Sequence, residues 1–280
     1  MRLLDFAANI HSQNGEDGIL AKMLDLLPVK DGWCVEFGAW DGKYFSNTRN
    51  LIVNRGYSAV LIEPDEQRFA DLVKNYSDNP TVITLRGFVG ITPDDNLDHV
   101  LADKPIPKDF DLLTIDIEGN DHHAWDAMSI YTPKIVHIPF NPSIPTEVDF
   151  TQSRDPGVSQ GPSLLALTRV GRTKGYELVC VNYNSAFFVR SQYFSHFAIP
   201  NNDPRVLRED FSAITYLFTG YDGSLHVSGR NLLLHHRDIR ISARLRQLPK
   251  VFRTYPHNWG SLRGFCFKIY WRLARLSGRA

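Results

Sequence analysis

The stretch Trp-Cys-Val-Glu-Phe-Gly-Ala-Trp-Asp-Gly over residues 33–42 constrains the fold most, because an apolar run passes directly into a glycine-containing turn. The apolar part predicts a short buried strand. Glu36, Gly38 and Gly42 follow the spacing E-x-G-x-x-x-G. The first glycine allows the backbone to turn sharply, and the second allows a ligand or a following helix to approach closely.

This turn lacks the middle glycine of the dinucleotide fingerprint G-x-G-x-x-G, which disfavours a dehydrogenase. An acid two residues before the first glycine favours a ligand with a positive charge or free hydroxyls over a pyrophosphate. S-adenosylmethionine fits both descriptions. The alternative is a plain strand-to-helix turn that binds nothing.

Strands and helices alternate along the chain and predict a parallel sheet with right-handed crossovers. Two strands joined by a short polar link, Tyr176–Val181 and Ala186–Val189, predict an antiparallel hairpin at one edge. The fold class is therefore α/β, with a Rossmann-like seven-stranded, mostly parallel sheet. By fold analogy this is the methyltransferase sheet. The remaining strands are predicted at 33–37, 58–63, 81–85, 111–119 and 134–140, and the helices at 19–27, 47–55, 65–76, 94–102, 122–128 and 163–174.

Charge is distributed unevenly, although Lys+Arg and Asp+Glu each total 31. Residues 239–280 contain ten Lys/Arg and no Asp/Glu, which leaves the first 238 residues with 21 basic and 31 acidic side chains, a net charge of −10. We expect a methyltransferase-like domain over 1–215 and a C-terminal extension over 216–280. Ser261–Leu276 predicts a basic, aromatic helix that lies either on an anionic membrane surface or against protein. No nucleic-acid recognition motif is present, and nothing indicates the oligomeric state.

The three cysteines, Cys34, Cys180 and Cys266, are far apart and have neither metal spacing nor a disulfide pattern. This usage favours a reducing compartment. The first ten residues have no long apolar run, and no stretch reaches the length of a membrane span. We therefore expect a cytoplasmic protein, with peripheral membrane contact through 261–276 as the option that the basic helix leaves open.

Acids stand where several predicted strands end, and in such sheets ligands bind beyond the carboxyl ends of the strands. Glu63 follows the glycine turn by about twenty residues, where a carboxylate can accept two hydrogen bonds from a ribose diol. The alternative for Glu63 is an acid at the start of the helix after Pro64.

Asp116 and Glu118 are two residues apart, so both side chains point to one face while the strand persists. Three interpretations remain open. With Asp121 they hold a divalent cation such as Mg²⁺. One of them is a general base, helped by His122. Or Asp116 meets the ammonium group of the cofactor.

Several motifs together resemble the FkbM-type methyltransferases over about residues 11 to 195. They are Ser12-Gln-Asn-Gly-Glu-Asp-Gly18, Val35-Glu-Phe-Gly-Ala-Trp-Asp-Gly42, Ser46-Asn-Thr-Arg-Asn50, Leu61-Ile-Glu-Pro64, Ile115-Asp-Ile-Glu-Gly-Asn-Asp121, Gly175-Tyr-Glu-Leu-Val and Phe187-Phe-Val. The resemblance implies a methyltransferase that uses S-adenosylmethionine. It implies that Glu36, Gly38 and Gly42 contact the methionine end, Glu63 the ribose and Gly87-Phe88 the adenine, and that Asp116 lines the reaction site.

One position departs from the family pattern. In relatives the fifth strand ends in an acid, an aromatic residue and Asn, whereas here the sequence is Ile138-Pro-Phe-Asn141. Pro139 removes a carboxylate and a backbone donor, and Asn141 remains as a substrate-facing candidate.

The resemblance thus implies O-methylation of a hydroxyl on a sugar, a glycolipid or a related small molecule. Because of Pro139 and the basic tail, the alternative is a catalytically altered module that binds the cofactor and acts through protein or membrane partners.

Overall fold

A computed structural model of the chain describes residues 1–230, 232–234, 239–240 and 248–276. Part of the predicted C-terminal extension therefore lies outside the described residues. Contacts divide the chain into two compact units, Met1–Phe211 and Ser212–Ala280. The boundary between residues 215 and 216 stays a prediction about domains.

The first unit contains a seven-stranded sheet with the order β3-β2-β1-β4-β5-β7-β6. β7 runs antiparallel to both neighbours, and the other strands from β3 to β5 pair in parallel. The predicted α/β class, the mostly parallel sheet and the antiparallel hairpin are confirmed. The strands are β1 (Trp33–Phe37), β2 (Ser58–Glu63), β3 (Val82–Arg86), β4 (Leu112–Ile115), β5 (Ile135–Pro139), β6 (Tyr176–Val181) and β7 (Ser185–Arg190).

Helices cover both faces of this sheet, so the central strands are buried on both sides and read as continuous apolar runs. Val35 and Phe37 of β1 belong to one core cluster and Cys34 to the other, as the alternation of a strand requires. The helices are α1 (Glu16–Leu26), α2 (Arg49–Arg55), α3 (Glu66–Tyr76), α4 (Leu97–Leu101), α5 (Asp121–Ala127), α6 (Leu164–Thr173) and α7 (Pro204–Leu207).

The starts of two helices differ from the prediction. α1 begins after Gly15 with no side-chain cap, and Asp17 instead folds back to accept the N–H groups of residues 10, 11 and 12. α2 begins after Thr48, which makes no cap bond. The predicted end of the second helix at residue 55 is confirmed, and Gly56 follows it with φ +70°. α3 begins directly after Asp65, which caps it by accepting two backbone N–H groups.

The long segment between β5 and α6 is irregular but is hydrogen-bonded to the rest of the first unit and within itself at several points. The Arg208 guanidinium donates to the carbonyls of Pro142 and Ile144, and the Gln152 side chain bonds residues 158, 160 and 161. These bonds explain how a connection of this length keeps one path without secondary structure of its own.

The second unit contains two antiparallel strand pairs and a terminal helix. β8 (Thr215–Thr219) pairs with β9 (Leu225–Gly229), and β10 (Leu232–Leu234) pairs with β11 (Ile239–Arg240). The last helix, α8, spans Ser261–Leu276, as the sequence predicts. In the described part of the chain, no helix has both the length and the apolar character needed to cross a bilayer.

Candidate functional site

A cavity of about 340 Å³ opens beyond the carboxyl ends of β1, β2 and β4. This is the edge of the sheet where ligands of open α/β folds bind. Predicted site residues that line it are Glu36, Gly38, Glu63, Phe88, Asp116 and Glu118. The rest of the wall comes from residues 13, 37, 39, 40, 44–46, 62, 64, 68, 87, 89 and 117. The structure therefore brings most of the predicted cofactor residues into one concave site.

Gly38 makes the sharp turn at the end of β1, with φ +80°. A Cβ atom at this position would lie 1.8 Å from the carbonyl oxygen of Asp116. The N–H groups of Gly38 and Ala39 both donate to the carbonyl of Ile62, each at 3.1 Å. Glycine is required because the end of β1 passes directly against the end of β4.

Gly42 is not among the residues that line the cavity, and its predicted contact with the cofactor stays a prediction. Its Cβ would lie 2.5 Å from the Tyr76 ring and 2.6 Å from Leu72, both on α3. Its carbonyl accepts the Tyr76 hydroxyl at 2.7 Å. Of the two options for this glycine, close approach of a following helix is the one that the structure realises.

Glu36 is 2% exposed, and its carboxylate is bonded to the loop before α2. Oε2 accepts the hydroxyls of Ser46 and Thr48 at 2.8 and 2.6 Å, and Oε1 accepts the backbone N–H of Asn47 at 2.9 Å. Burial raises the pKa of Glu36, and these hydrogen bonds oppose the shift. Glu36 thus holds the loop that forms part of the cavity wall, and its contact with a ligand stays a prediction.

Glu63 closes the end of β2 and is 3% exposed. One carboxylate oxygen accepts the N–H of Trp40 and the other the N–H of Asp65, each at 2.9 Å. Each oxygen keeps a second lone pair for a further donor. The helix cap is Asp65 rather than Glu63, so the wall position of Glu63 remains compatible with binding a diol.

Asp116 and Glu118 both line the cavity, but the expectation that one strand face carries them is wrong. β4 ends at Ile115, and Glu118 adopts φ +54°. Asp116 is exposed at the cavity wall, and desolvation by the surrounding protein raises its pKa well above the ordinary value. The carboxylates of Asp121, Glu36, Glu118 and Glu16 raise it further.

The predicted Mg²⁺ site at Asp116, Glu118 and Asp121 is not formed. Asp121 is 1% exposed, and its two oxygens accept the N–H groups of Ile117 and Gly119 at 2.8 and 2.7 Å. Among the described residues, no group of three or more His, Cys, Asp or Glu side chains is placed to hold a metal ion. Asp121 instead fixes the turn that carries Glu118.

His122 and Asn141 also lie outside the cavity wall, and their predicted roles in catalysis and substrate binding stay predictions. His122 is 6% exposed, and burial followed by the charge of His123 lowers its pKa from 6.5 to about 4. The Asn141 amide donates to the carbonyl of Gln160 at 2.7 Å and accepts from Ser143. The Asn141 side chain thus bonds the irregular segment after β5, whereas neither ring nitrogen of His122 has a hydrogen-bond partner among the described residues.

Trp40, Tyr44 and Phe45 form an aromatic part of the cavity wall that was not predicted from the sequence. The rings of Tyr44 and Phe45 are 4.0 Å apart, and the Arg68 guanidinium lies 3.4 Å above Trp40. Trp40 and Phe45 have φ values of +53° and +52°, a strained conformation that clusters at functional sites. The signal available in the sequence was three aromatic residues just after a glycine turn.

The ionisable side chains of the cavity wall are mostly acidic. Four carboxylates, those of Glu36, Glu63, Asp116 and Glu118, stand against one guanidinium, that of Arg68. Since Arg68 stacks on Trp40, its charge lies at the aromatic side of the site. An excess of negative charge in a concave site favours a cationic ligand and disfavours a phosphate.

No family model matches the chain, and no curated protein matches it. Similar solved structures include a SAM dependent methyltransferase from Aquifex aeolicus, with 11% identity over 60% of this chain and 87% of that one, at a TM-score of 0.38. Another is the CMeT domain of the citrinin polyketide synthase, with 9% identity over 65% and 54%, at 0.42. A third is M. capricolum TrmK with S-adenosyl-homocysteine, with 11% identity over 61% and 67%, at 0.39. This chain spans about half of the CMeT domain.

Proposed function

We propose that the cavity binds S-adenosylmethionine and that the chain is a methyltransferase of the FkbM type. The observation that carries the proposal is the convergence of Gly38, Glu63, Phe88 and Asp116 in one acidic cavity at the carboxyl edge of the sheet. S-adenosylmethionine combines a sulfonium, an ammonium and a ribose diol, which suit carboxylate acceptors. The acceptor we propose is a hydroxyl of a sugar, a glycolipid or a related small molecule.

We propose that different residues of the cavity wall contact different parts of the cofactor. We assign the ribose to Glu63, because each carboxylate oxygen accepts one protein N–H and can accept a second donor. Phe88 is 54% exposed at the cavity and offers a ring face to the adenine. Gly38 lines the cavity at the end of β1, where we propose that the methionine end lies.

The cofactor supplies an already activated methyl group, so the chain has to align the acceptor and remove its proton. Asp116 has no hydrogen-bond partner among the described residues, and its raised pKa makes it a stronger base than an ordinary aspartate. We propose that an Asp116 carboxylate oxygen takes the hydroxyl proton. Glu118, on the same wall, increases the basicity of Asp116 by its negative charge.

The cofactor assignment is tested by isothermal titration of S-adenosylmethionine into the wild type, Glu63→Ala and Asp65→Ala. Glu63→Ala should weaken binding about tenfold or more, since it removes two acceptors of charge-assisted hydrogen bonds. Asp65→Ala is the matched control. It removes the cap of the same helix at a cost of about 1 kcal/mol in stability without touching the cavity. Equal affinity of the wild type and Glu63→Ala would contradict the ribose assignment.

The reaction is tested by transfer of labelled methyl to a panel of saccharides and glycolipids. Asp116→Asn should lower kcat while leaving cofactor affinity near that of the wild type. A loss of cofactor affinity with unchanged kcat would place Asp116 against the ammonium instead. Cofactor binding with no transfer to any acceptor of the panel would count against the enzyme and for a binding module.

We also propose a cytoplasmic location, which the free thiols of Cys34, Cys180 and Cys266 support.

A further inference from the structure

Helix α8 packs one side against its own unit through aromatic rings. The Phe267 ring lies 5.4 Å from that of Phe252 and 4.7 Å from that of Trp259, and the Tyr270 ring lies 5.6 Å from that of Phe252. Arg263 donates to the Thr254 hydroxyl at 2.9 Å on the same side. These contacts fix the rotation of the helix about its axis and so decide which residues point the other way.

The opposite side of α8 is an exposed apolar stripe. Its members are Leu262, Phe265, Ile269, Leu273 and Leu276, with exposed fractions of 77, 62, 46, 60 and 85%. The intervals of three and four residues place them on one face at about 3.6 residues per turn. The side chain of Cys266 is exposed on the same face. Exposure of this many large apolar side chains in one row marks an interaction surface.

Positive charge borders this stripe. Lys268, Arg272 and Arg275 project along one edge of it, and Arg275 lies 4.8 Å over the Trp271 ring. The sequence from residue 239 to 280 contains no acidic residue at all. An occupant of the stripe therefore has to accept apolar side chains in the middle and offer negative charge beside them.

We propose that the apolar stripe of α8 binds the surface of a bilayer that contains anionic lipid. The apolar side chains enter the boundary between acyl chains and headgroups, while the three cations meet lipid phosphates. A second copy of the chain fits less well, because a helix pair would bring two basic edges together. The helix is about 24 Å long at 1.5 Å per residue, too short to span, and so lies in the plane of the interface.

This inference goes beyond the proposed function and can be tested without any cofactor or acceptor. Full-length protein is sedimented with vesicles of phosphatidylcholine alone and with vesicles that also contain phosphatidylglycerol. We expect binding to the anionic vesicles at least about tenfold tighter, and weaker binding as salt is raised. Equal recovery with both vesicle types, or with neither, would overturn the proposal.

Two matched variants connect the binding to the stripe. Ile269→Asp with Leu273→Asp should lower anionic-vesicle binding at least about tenfold, because two inserted side chains become charged. Val53→Asp with Val73→Asp is the control. These valines are also exposed on helices, at 54 and 41%, but lie in the first unit. Similar loss in both double variants would show that the stripe is not the contact.

The thiol of Cys266 gives a second readout on the stripe itself, since the other two cysteines are buried. A polarity-sensitive fluorophore attached there should shift to shorter wavelength when anionic vesicles are added. A shift that appears without vesicles and grows with protein concentration would identify a second copy as the occupant. No shift with vesicles that do sediment the protein would place the contact elsewhere. Either of these results refutes the proposal.

Discussion

Glu36 offers the sharpest test of how the cavity is built, because its three hydrogen bonds can be separated from its charge. Replacing it with alanine removes the acceptors of two hydroxyls and one backbone N–H. Replacing it with glutamine keeps the shape. The amide oxygen can accept the Asn47 N–H, and the amide nitrogen can donate to the Ser46 and Thr48 oxygens once those hydroxyls rotate. Comparing the two variants therefore separates the contribution of the hydrogen bonds from that of the negative charge in holding the loop before α2.

The geometry sets the expected magnitudes. A hydrogen bond to a charged group contributes about 1.5–3 kcal/mol, and a buried donor left without an acceptor costs about 1–3 kcal/mol. The two hydroxyls can turn elsewhere, whereas the Asn47 N–H cannot, and removing a buried charge recovers some hydration energy. We expect Glu36→Ala to lower the free energy of unfolding by about 3 kcal/mol. Glu36→Gln should lower it by about 1 kcal/mol, since all three bonds are remade without the charge.

Urea denaturation followed by tryptophan fluorescence measures both free energies of unfolding. Titration with S-adenosylmethionine measures whether the change in the cavity wall alters cofactor affinity. Glu36→Ala should also lower the affinity for S-adenosylmethionine, because the loop before α2 forms part of the cavity wall. Glu66→Ala is a control on an exposed ion pair with Arg86 and should change stability by less than about 1 kcal/mol. If glutamine proved as harmful as alanine, charge rather than hydrogen bonding would be holding the loop, and the reasoning would be refuted.

Three further predictions follow from the same geometry. In thermal denaturation, Gly38→Ala should lower the free energy of unfolding by at least about 2 kcal/mol more than Gly56→Ala. Both glycines have φ values of +70 to +80°, but of the two only Gly38 would bring a Cβ against a backbone oxygen, at 1.8 Å. The pH profile of transfer should have its acid limb well above the range of an ordinary aspartate, since the base form of Asp116 is lost as pH falls through its raised pKa; a limb at the ordinary position would exclude Asp116 as the base. Burial lowers the pKa of His137 from 6.5 to about 4, so that as pH falls the unfolded chain takes up a proton at this histidine before the folded chain does. The free energy of unfolding should therefore decrease by about 3 kcal/mol between pH 6.5 and about pH 4. Denaturation of His137→Leu against pH should lack that share of the slope, and an unchanged slope would disprove the assignment.

The sheet and the turn after its first strand could be predicted because their causes are local. Strands buried on both faces need unbroken apolar runs, and the contact between Gly38 and the end of β4 excludes any side chain. Glu63 could be predicted at the cavity because parallel strands all end at one edge, whereas Phe88 was expected there only from the family resemblance. These features follow from backbone geometry, which sequence patterns report directly.

The failures concern side-chain directions beyond the strand ends. A single residue, Glu118, turns into the left-handed region, and this cancels the alternation on which its pairing with Asp116 rested. Asp121 is drawn inward by the N–H groups that this turn exposes. Gly42 has the right spacing for a ligand but packs on a helix that is distant in sequence. No local pattern carries such information, because it depends on what packs against the turn.

The acidic residues at the carboxyl edge of the sheet fall into two groups, according to whether their carboxylates accept hydrogen bonds from the protein. Glu36, Glu63 and Asp121 accept hydrogen bonds from the protein and shape the site, whereas Asp116 and Glu118 make none with the described residues. Unpartnered carboxylates facing a cavity are the groups left for a ligand and a proton. Pro139, where the resemblance to the FkbM pattern implies an acid, pairs with Ser185 and does not line the cavity. Position 139 therefore contributes nothing to the cavity wall, and Asp116 can act as the proposed base whichever residue stands there.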